Sequence, residues 1–273
     1  MRHLPSLLIP LCILVCNAFP IPSASTAHAA TGTTEESQSK APNQRDALTL
    51  FNKADRELNF AWTALKKAIE SSAPLEYRTL LQSQRSWAEY RDRLARSPLF
   101  MGPKNNAPWR MQVGLETGAI FRKDSAAYLA TAADMNSERA EFLNRLVKHR
   151  ESDTIDGVWS DGIGGRLLLM QEPGGMRFAF SVIRGEDNRP GTIAGKALWN
   201  KPIGWFSDSG RLPSKAAETS LSFVLDAFKI QVVGANTLFY HETPAAFDGA
   251  YYKTESLDDA TRAELLKTSL PVK

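Results

Sequence analysis

Cysteine occurs at only two positions, Cys12 and Cys16, both inside an apolar N-terminal run, and histidine at only four: His3, His28, His149 and His241. If that run is removed as a signal, no cysteine and only two histidines remain. Disulfide staples, thiol nucleophiles and zinc sites built from His and Cys are then excluded, and a histidine-centred triad has little to be built from. Neither Gly-x-Ser-x-Gly nor His-Glu-x-x-His occurs, so the catalytic signatures that depend on them are missing too. There is no basic run with interleaved aromatics, which argues against nucleic acid or an anionic membrane as partner.

The run itself has the layout of a signal peptide. Arg2 precedes apolar sequence from Leu4 to Phe19, and small residues follow, ending in Ala27-His28-Ala29; cleavage is expected before Ala30. Pro10, Asn17 and Pro20 interrupt a stretch already short of the roughly 20 apolar residues that a membrane span needs. Val15 stands before Cys16, where lipidation favours a small residue, so no stable membrane anchor is expected. The mature protein is expected to be periplasmic or secreted. Taking Arg2 from the 33 basic residues leaves 32 against 30 acidic ones, so its net charge is near zero.

Residues 30–43 are rich in Thr, Ser, Glu and Gln without apolar periodicity and read as a disordered spacer. From Gln44 onward, Leu48, Phe51, Asp55, Leu58, Trp62, Leu65 and Ile69 recur at steps of three and four, the stripe of an amphipathic helix. Ser71-Ser72-Ala73-Pro74 breaks it, with Pro74 suited to the first turn of a second helix. That helix carries Tyr77, Leu81, Gln84, Ala88, Arg91 and Ala95 at the same spacing. So short a turn predicts antiparallel neighbours, and counting outward from it sets Asp55 opposite Arg91. An unpaired charge on such a seam is costly, so these two are expected to form a partly buried ion pair. Helical sequence resumes from about Met111 to Arg150, with an interruption expected near Met135-Asn136 and a cap at Asn136 or Ser137.

After Glu151 the texture changes to short apolar runs separated by turn pairs such as Asp156-Gly157, Gly174-Gly175 and Asp248-Gly249. Strands are predicted at 157–159, 166–171, 176–184, 191–198, 220–226, 229–233, 237–241 and 250–254. The fold class is therefore α+β in two domains. An N-terminal antiparallel helical bundle (44–150) precedes a small all-β antiparallel barrel or sandwich (151–255), and residues 256–273 form a short closing helix, capped by Ser256, and a tail.

Two motifs point further. Asp55-Arg56-Glu57-Leu58-Asn59 is followed by Gln84-Arg85-Ser86-Trp87-Ala88-Glu89-Tyr90-Arg91-Asp92, and in this order they resemble the N-terminal domain of the LprI-type lysozyme-inhibitor family over roughly residues 55–146. The family pattern falls on Asp55, Leu58, Asn59, Gln84, Arg85, Trp87, Tyr90, Arg91 and Asp92. The resemblance implies an inhibitor that binds lysozyme or a related muramidase; with the signal layout and the missing His, Cys and catalytic signatures, an exported non-catalytic protein with no cofactor and no metal is expected. Family members usually carry a cysteine soon after the Arg-Asp pair, where this chain has Arg93, Leu94 and Ala95. A second reading is a non-inhibitory binding, immunity or assembly factor with another envelope protein as partner.

The motif residues have a bland explanation too, because several occupy seam positions where they can satisfy one another, and that structural role outweighs a catalytic one. Trp205 and Phe206 follow Pro202-Ile203-Gly204 in a stretch without strand alternation. They are the candidate partner contacts on a loop. Gly162-Ile163-Gly164-Gly165 matches neither dinucleotide nor P-loop spacing and reads as a hairpin turn.

Overall fold

The computed structural model describes residues 41–103, 107–117, 120–149, 154–208 and 218–267. The expected signal segment, its cleavage point and most of the expected spacer lie outside the described residues, as does Arg150. Among the described residues no helix is long and apolar enough to cross a membrane.

The first helix, α1 (Gln44–Ile69), starts where Asn43 Oδ1 accepts a 2.9 Å hydrogen bond from the Asp46 amide, satisfying one of the donors a helix start leaves unpaired. The second, α2 (Pro74–Arg96), opens on Pro74, whose fixed φ and missing N–H suit the first turn. Next come α3 (Trp109–Thr117) and α4 (Ala126–His149). The expected break at Met135-Asn136 is absent: α4 runs through it, and the interruption falls earlier, before Ser125. Asn136 is tolerated inside the helix because its side chain is engaged across the bundle, as described below, and does not compete with its own backbone.

The helices do not form the expected seam. The most extensive helix contact is between α1 and α4, while α1 and α2 touch mainly near their turn, where Trp62 stacks on Tyr77 at 6.2 Å. Ala47, Ala54 and Ala61, seven residues apart and buried on α1, give that helix a smooth ridge. Small side chains allow close helix approach, and α4 supplies Ala127, Ala132, Ala133 and Ala140. On α2 the buried positions are Leu80, Trp87, Leu94 and Ala95, so of the expected stripe only Ala95 is buried, with Tyr77 and Ala88 partly buried beside the cluster. Arg110 of α3 locks the corner beyond α2. Completely buried, it donates to the carbonyl oxygens of Ala95, Ser97, Phe100 and Ala127 and to the Thr131 hydroxyl.

Eight antiparallel strands follow and close into a barrel in sequence order, β1 (Gly157–Ser160), β2 (Gly165–Glu172), β3 (Gly175–Arg184), β4 (Arg189–Asn200), β5 (Ile203–Ser207), β6 (Ser220–Asp226), β7 (Lys229–Ala235) and β8 (Gly249–Glu255), with β8 pairing back to β1. Closure removes the exposed edges. The expected strand at 237–241 is instead a 3-10 turn (Thr237–Phe239). It breaks there because Asn236 adopts a left-handed φ of 56°, and Thr237 Oγ1 lies 2.9 Å from His241 Nε2. In its place the stretch read as a loop supplies β5. The interior is filled by alternate residues, among them Leu169, Phe178, Phe180, Phe223, Val232 and Tyr251.

Three of the barrel's outer faces differ in their cover. A closing helix, α5 (Asp259–Lys267), lays Leu265 over Val158, Leu168 and Met170; its cap is Asp258, which accepts from the Thr261 amide at 2.7 Å, and not Ser256. The β8 face meets α4, and Tyr252 joins the buried helical cluster beside Phe142 at 6.2 Å. Along β4 to β7, Leu198, Ile203, Trp205, Val224 and Val233 stay exposed.

Candidate protein-binding site

The polar motif residues converge between α1, α2 and α4. Asp92 accepts from Arg91 Nε (3.2 Å) and Nη2 (2.8 Å), from Tyr128 Oη (2.7 Å) and from Lys123 Nζ (2.5 Å). Partial burial alone would raise its carboxyl, but the bonds from Lys123, Arg91 and Tyr128 outweigh that and hold it down at about 2. Tyr128 is pushed the other way, to about 12, by burial and by the Asp92 carboxylate it faces.

Asp55 and Arg91 do not pair directly. Arg91 Nη1 donates to Asn136 Oδ1 at 3.0 Å, Asn136 Nδ2 reaches Asp55 Oδ1 at 3.4 Å, and Asn59 Nδ2 donates to Asp55 Oδ2 at 3.1 Å. The physical reason is the position of α4. It enters the gap between α1 and α2, so an amide with one acceptor and one donor bridges acid and base, and the ion pair of Arg91 is with its neighbour Asp92.

A second layer surrounds Trp87. The guanidinium groups of Arg91 and Arg139 each lie 5.5 Å from its ring centroid, within range of a cation–π attraction. Arg139, 1% exposed, donates to Gln84 Oε1 at 2.9 Å and Ser83 Oγ at 3.2 Å, and burial lowers its pKa to about 10. Gly162 closes over it with φ +72°, where an added Cβ would fall 2.4 Å from Arg139 Nη1. Leu58 is buried beside Trp87, Tyr90 packs on the same cluster, and Arg85 is exposed. The family motif is thus mainly an internal scaffold. Apart from the exposed Arg85, its polar residues are engaged by one another and by Asn136, Arg139, Tyr128 and Lys123, while Arg139 Nη1 is buried without a hydrogen-bond partner among the described residues. Among the described residues no group of three or more His, Cys, Asp or Glu side chains is set to hold a metal.

The surface beside this scaffold carries features of another kind. Phe60 on α1 is 77% exposed, beside a groove of about 480 Å³ lined by Arg56, Glu57 and Phe60 from α1 and by Ser137, Ala140, Glu141 and Asn144 from α4. A large apolar side chain left in water at the rim of a helical groove is the kind of anchor that protein partners bury. Sequence reasoning passed over Phe60 because it lies off the apolar stripe; that displacement was itself the available signal. The other candidates separate. Trp205 is 48% exposed, but Phe206 is 2% exposed and packs edge-on against Phe178 at 5.0 Å inside the barrel. Strand alternation along β5 sends the two to opposite faces.

Residues 31–143 match the family described as Lysozyme inhibitor LprI. Neither a curated protein nor a solved structure matches the chain. The LprI-like segment takes in α1, α2, α3 and most of α4, with the whole Asp55–Asn136–Arg91–Asp92 network and all of the Phe60 groove except Asn144. The barrel lies outside it. Inside the LprI-like segment, Arg93, Leu94 and Ala95 stand where the family resemblance implied a cysteine, and Leu94 and Ala95 are buried, so packing fills that place.

Proposed function

We propose that the protein is an exported, non-catalytic inhibitor of lysozyme-like wall-cleaving enzymes, acting by direct binding through the helical half. The observation that carries this reading is that the LprI match falls on the helices and includes an exposed aromatic at a groove. The motif network holds α1 and α4 at the separation that forms this groove, so its role is to position the surface. Near-neutral net charge gives little long-range steering toward a cationic enzyme, so affinity must come from shape and from a few desolvated anchors, Phe60 foremost.

The test is titration of the mature protein against several lysozymes at low and moderate salt, following both wall lysis and binding heat. Inhibition without turnover is expected, and Phe60→Ala should weaken it by about 1–2 kcal/mol while leaving the unfolding midpoint in place. Absence of both binding and inhibition at micromolar concentration overturns the assignment. Export is checked separately: N-terminal sequencing of protein recovered outside the cytoplasm should begin at Ala30.

A further inference from the structure

Among the described residues the outer face of the barrel along β4 and β5 is exposed and carries a second groove, distant in sequence from the LprI-like segment. Leu198 on β4 and Trp205 on β5 are register partners and both point outward, 70% and 48% exposed. Lys196 and Ser207 line the same strip, and the turn Glu172–Gly175 between β2 and β3 forms its wall, enclosing about 310 Å³. The wall stands so close to β4 only because it is glycine: Gly174 has φ +77°, and a Cβ on Gly175 would fall 2.5 Å from the Ala197 carbonyl oxygen. A cleft of this size is at the lower end of the range of about 300–1,000 Å³ that takes small ligands.

Its chemistry is specific. The charged side chains lining it are Glu172 and Lys196, paired at 3.0 Å, while Arg177 Nε holds the other Glu172 oxygen at 2.8 Å. Glu172 is only 21% exposed, and its bonds to Arg177 and Lys196 hold it below the usual carboxylate range, so it stays ionised and fixed in place. A phosphate or carboxylate ligand would face this anion, and a cation would face the ammonium. Hydroxyl groups suit both, donating to Glu172 and accepting from Lys196. The apolar C–H face of a sugar ring suits the Trp205 indole that lines the same groove, and Ile203, two residues from Trp205 and exposed, extends the apolar strip.

We propose that this groove binds a neutral pyranose oligosaccharide, with Trp205 as stacking platform and the Glu172–Lys196 pair as hydroxyl clamp. The inference does not depend on lysozyme inhibition, and no lysozyme is present in its test. Chitohexaose and cellohexaose are titrated into the full chain by calorimetry and by tryptophan emission. Saturable binding to at least one is expected; Trp205→Ala should weaken it roughly tenfold or more, as loss of an aromatic platform does. Trp205→Phe should fall between the two, and Lys196→Glu should weaken binding with the indole intact. The two Trp205 variants should keep the wild-type melting profile, and Lys196→Met, which removes the ammonium without adding a second carboxylate, should weaken binding as well. No saturable binding up to millimolar sugar, or equal binding by Trp205→Ala, overturns the proposal. So does a concentration-dependent dimer that Trp205→Ala abolishes, which would assign the strip to a second copy of the chain.

Discussion

Asp92→Asn changes one atom and removes the charge on which four hydrogen bonds converge. The amide oxygen still accepts from Tyr128 and Arg91, while the amide NH2 replaces the oxygen that accepted from Lys123, so the variant removes the charge together with that one hydrogen bond. In the folded protein the carboxyl is held at about 2, against an ordinary 3.8, a difference equivalent to about 2.5 kcal/mol at most. The Asp92 side chain keeps 27% of its exposure and Lys123 61%, and solvent screening reduces the expected contribution to about 1–2 kcal/mol. The sign follows from the lowered folded value. Above about pH 4 both states carry the charge and the full stabilisation is present; as pH falls toward 2 the unfolded chain takes up its proton first, and the stabilisation is lost. Urea unfolding of wild type and Asp92→Asn should therefore differ by about 1–2 kcal/mol at pH 6, with about half of that gap left at pH 3. Other carboxylates titrate alike in the two proteins and cancel in the difference. A gap that is the same at pH 3 as at pH 6, or no gap at pH 6, would refute the claim that Asp92 is held charged by the bundle.

Three further outcomes are expected. Arg110→Met strips the donors from four carbonyl oxygens at the α2–α3–α4 corner and should cost about 3 kcal/mol or more in chemical denaturation; a loss below about 1 kcal/mol would show that water serves that corner equally well. Phe206→Ala should cost about 3–5 kcal/mol by opening a cavity in the barrel, whereas Trp205→Ala should stay within about 1 kcal/mol; equal losses would mean that β5 does not alternate as described. Tyr252→Ala removes the barrel's fully buried member of the helical cluster, beside which Ile163, Phe228 and Ala250 also pack, and hydrogen exchange should show α4 and β8 losing protection together; an effect confined to β8 would mean that helices and barrel are stabilised independently.

How much of this was legible in the chain depends on how far each cause acts. Asn43 caps α1 through a residue three positions on, Pro74 starts α2 by its own ring, and the glycine pairs between strands turn within four residues. Such features are local, so reading along the chain finds both helices and seven of the eight strands. The Asp-x-x-Leu-Asn and Gln-Arg-x-Trp patterns are equally local, and the match over residues 31–143 agrees with them. The pairing of Asp55 with Arg91 was inferred from a hairpin alone; it failed because a third helix, whose alanines leave no strong periodic signal, enters the gap and brings Asn136 with it. The same limit applies to the surface. Phe206 and Trp205 are adjacent in sequence, and which of them faces the core depends on β5 pairing with Leu198 on one side and Leu221 on the other. A slip of one residue would exchange them. Whether a residue exists as a platform or as core is therefore decided only when strands from distant parts of the chain close the barrel and fix the register, because a side chain's direction in a sheet is set by its neighbours across the hydrogen bonds and not by its neighbours along the chain.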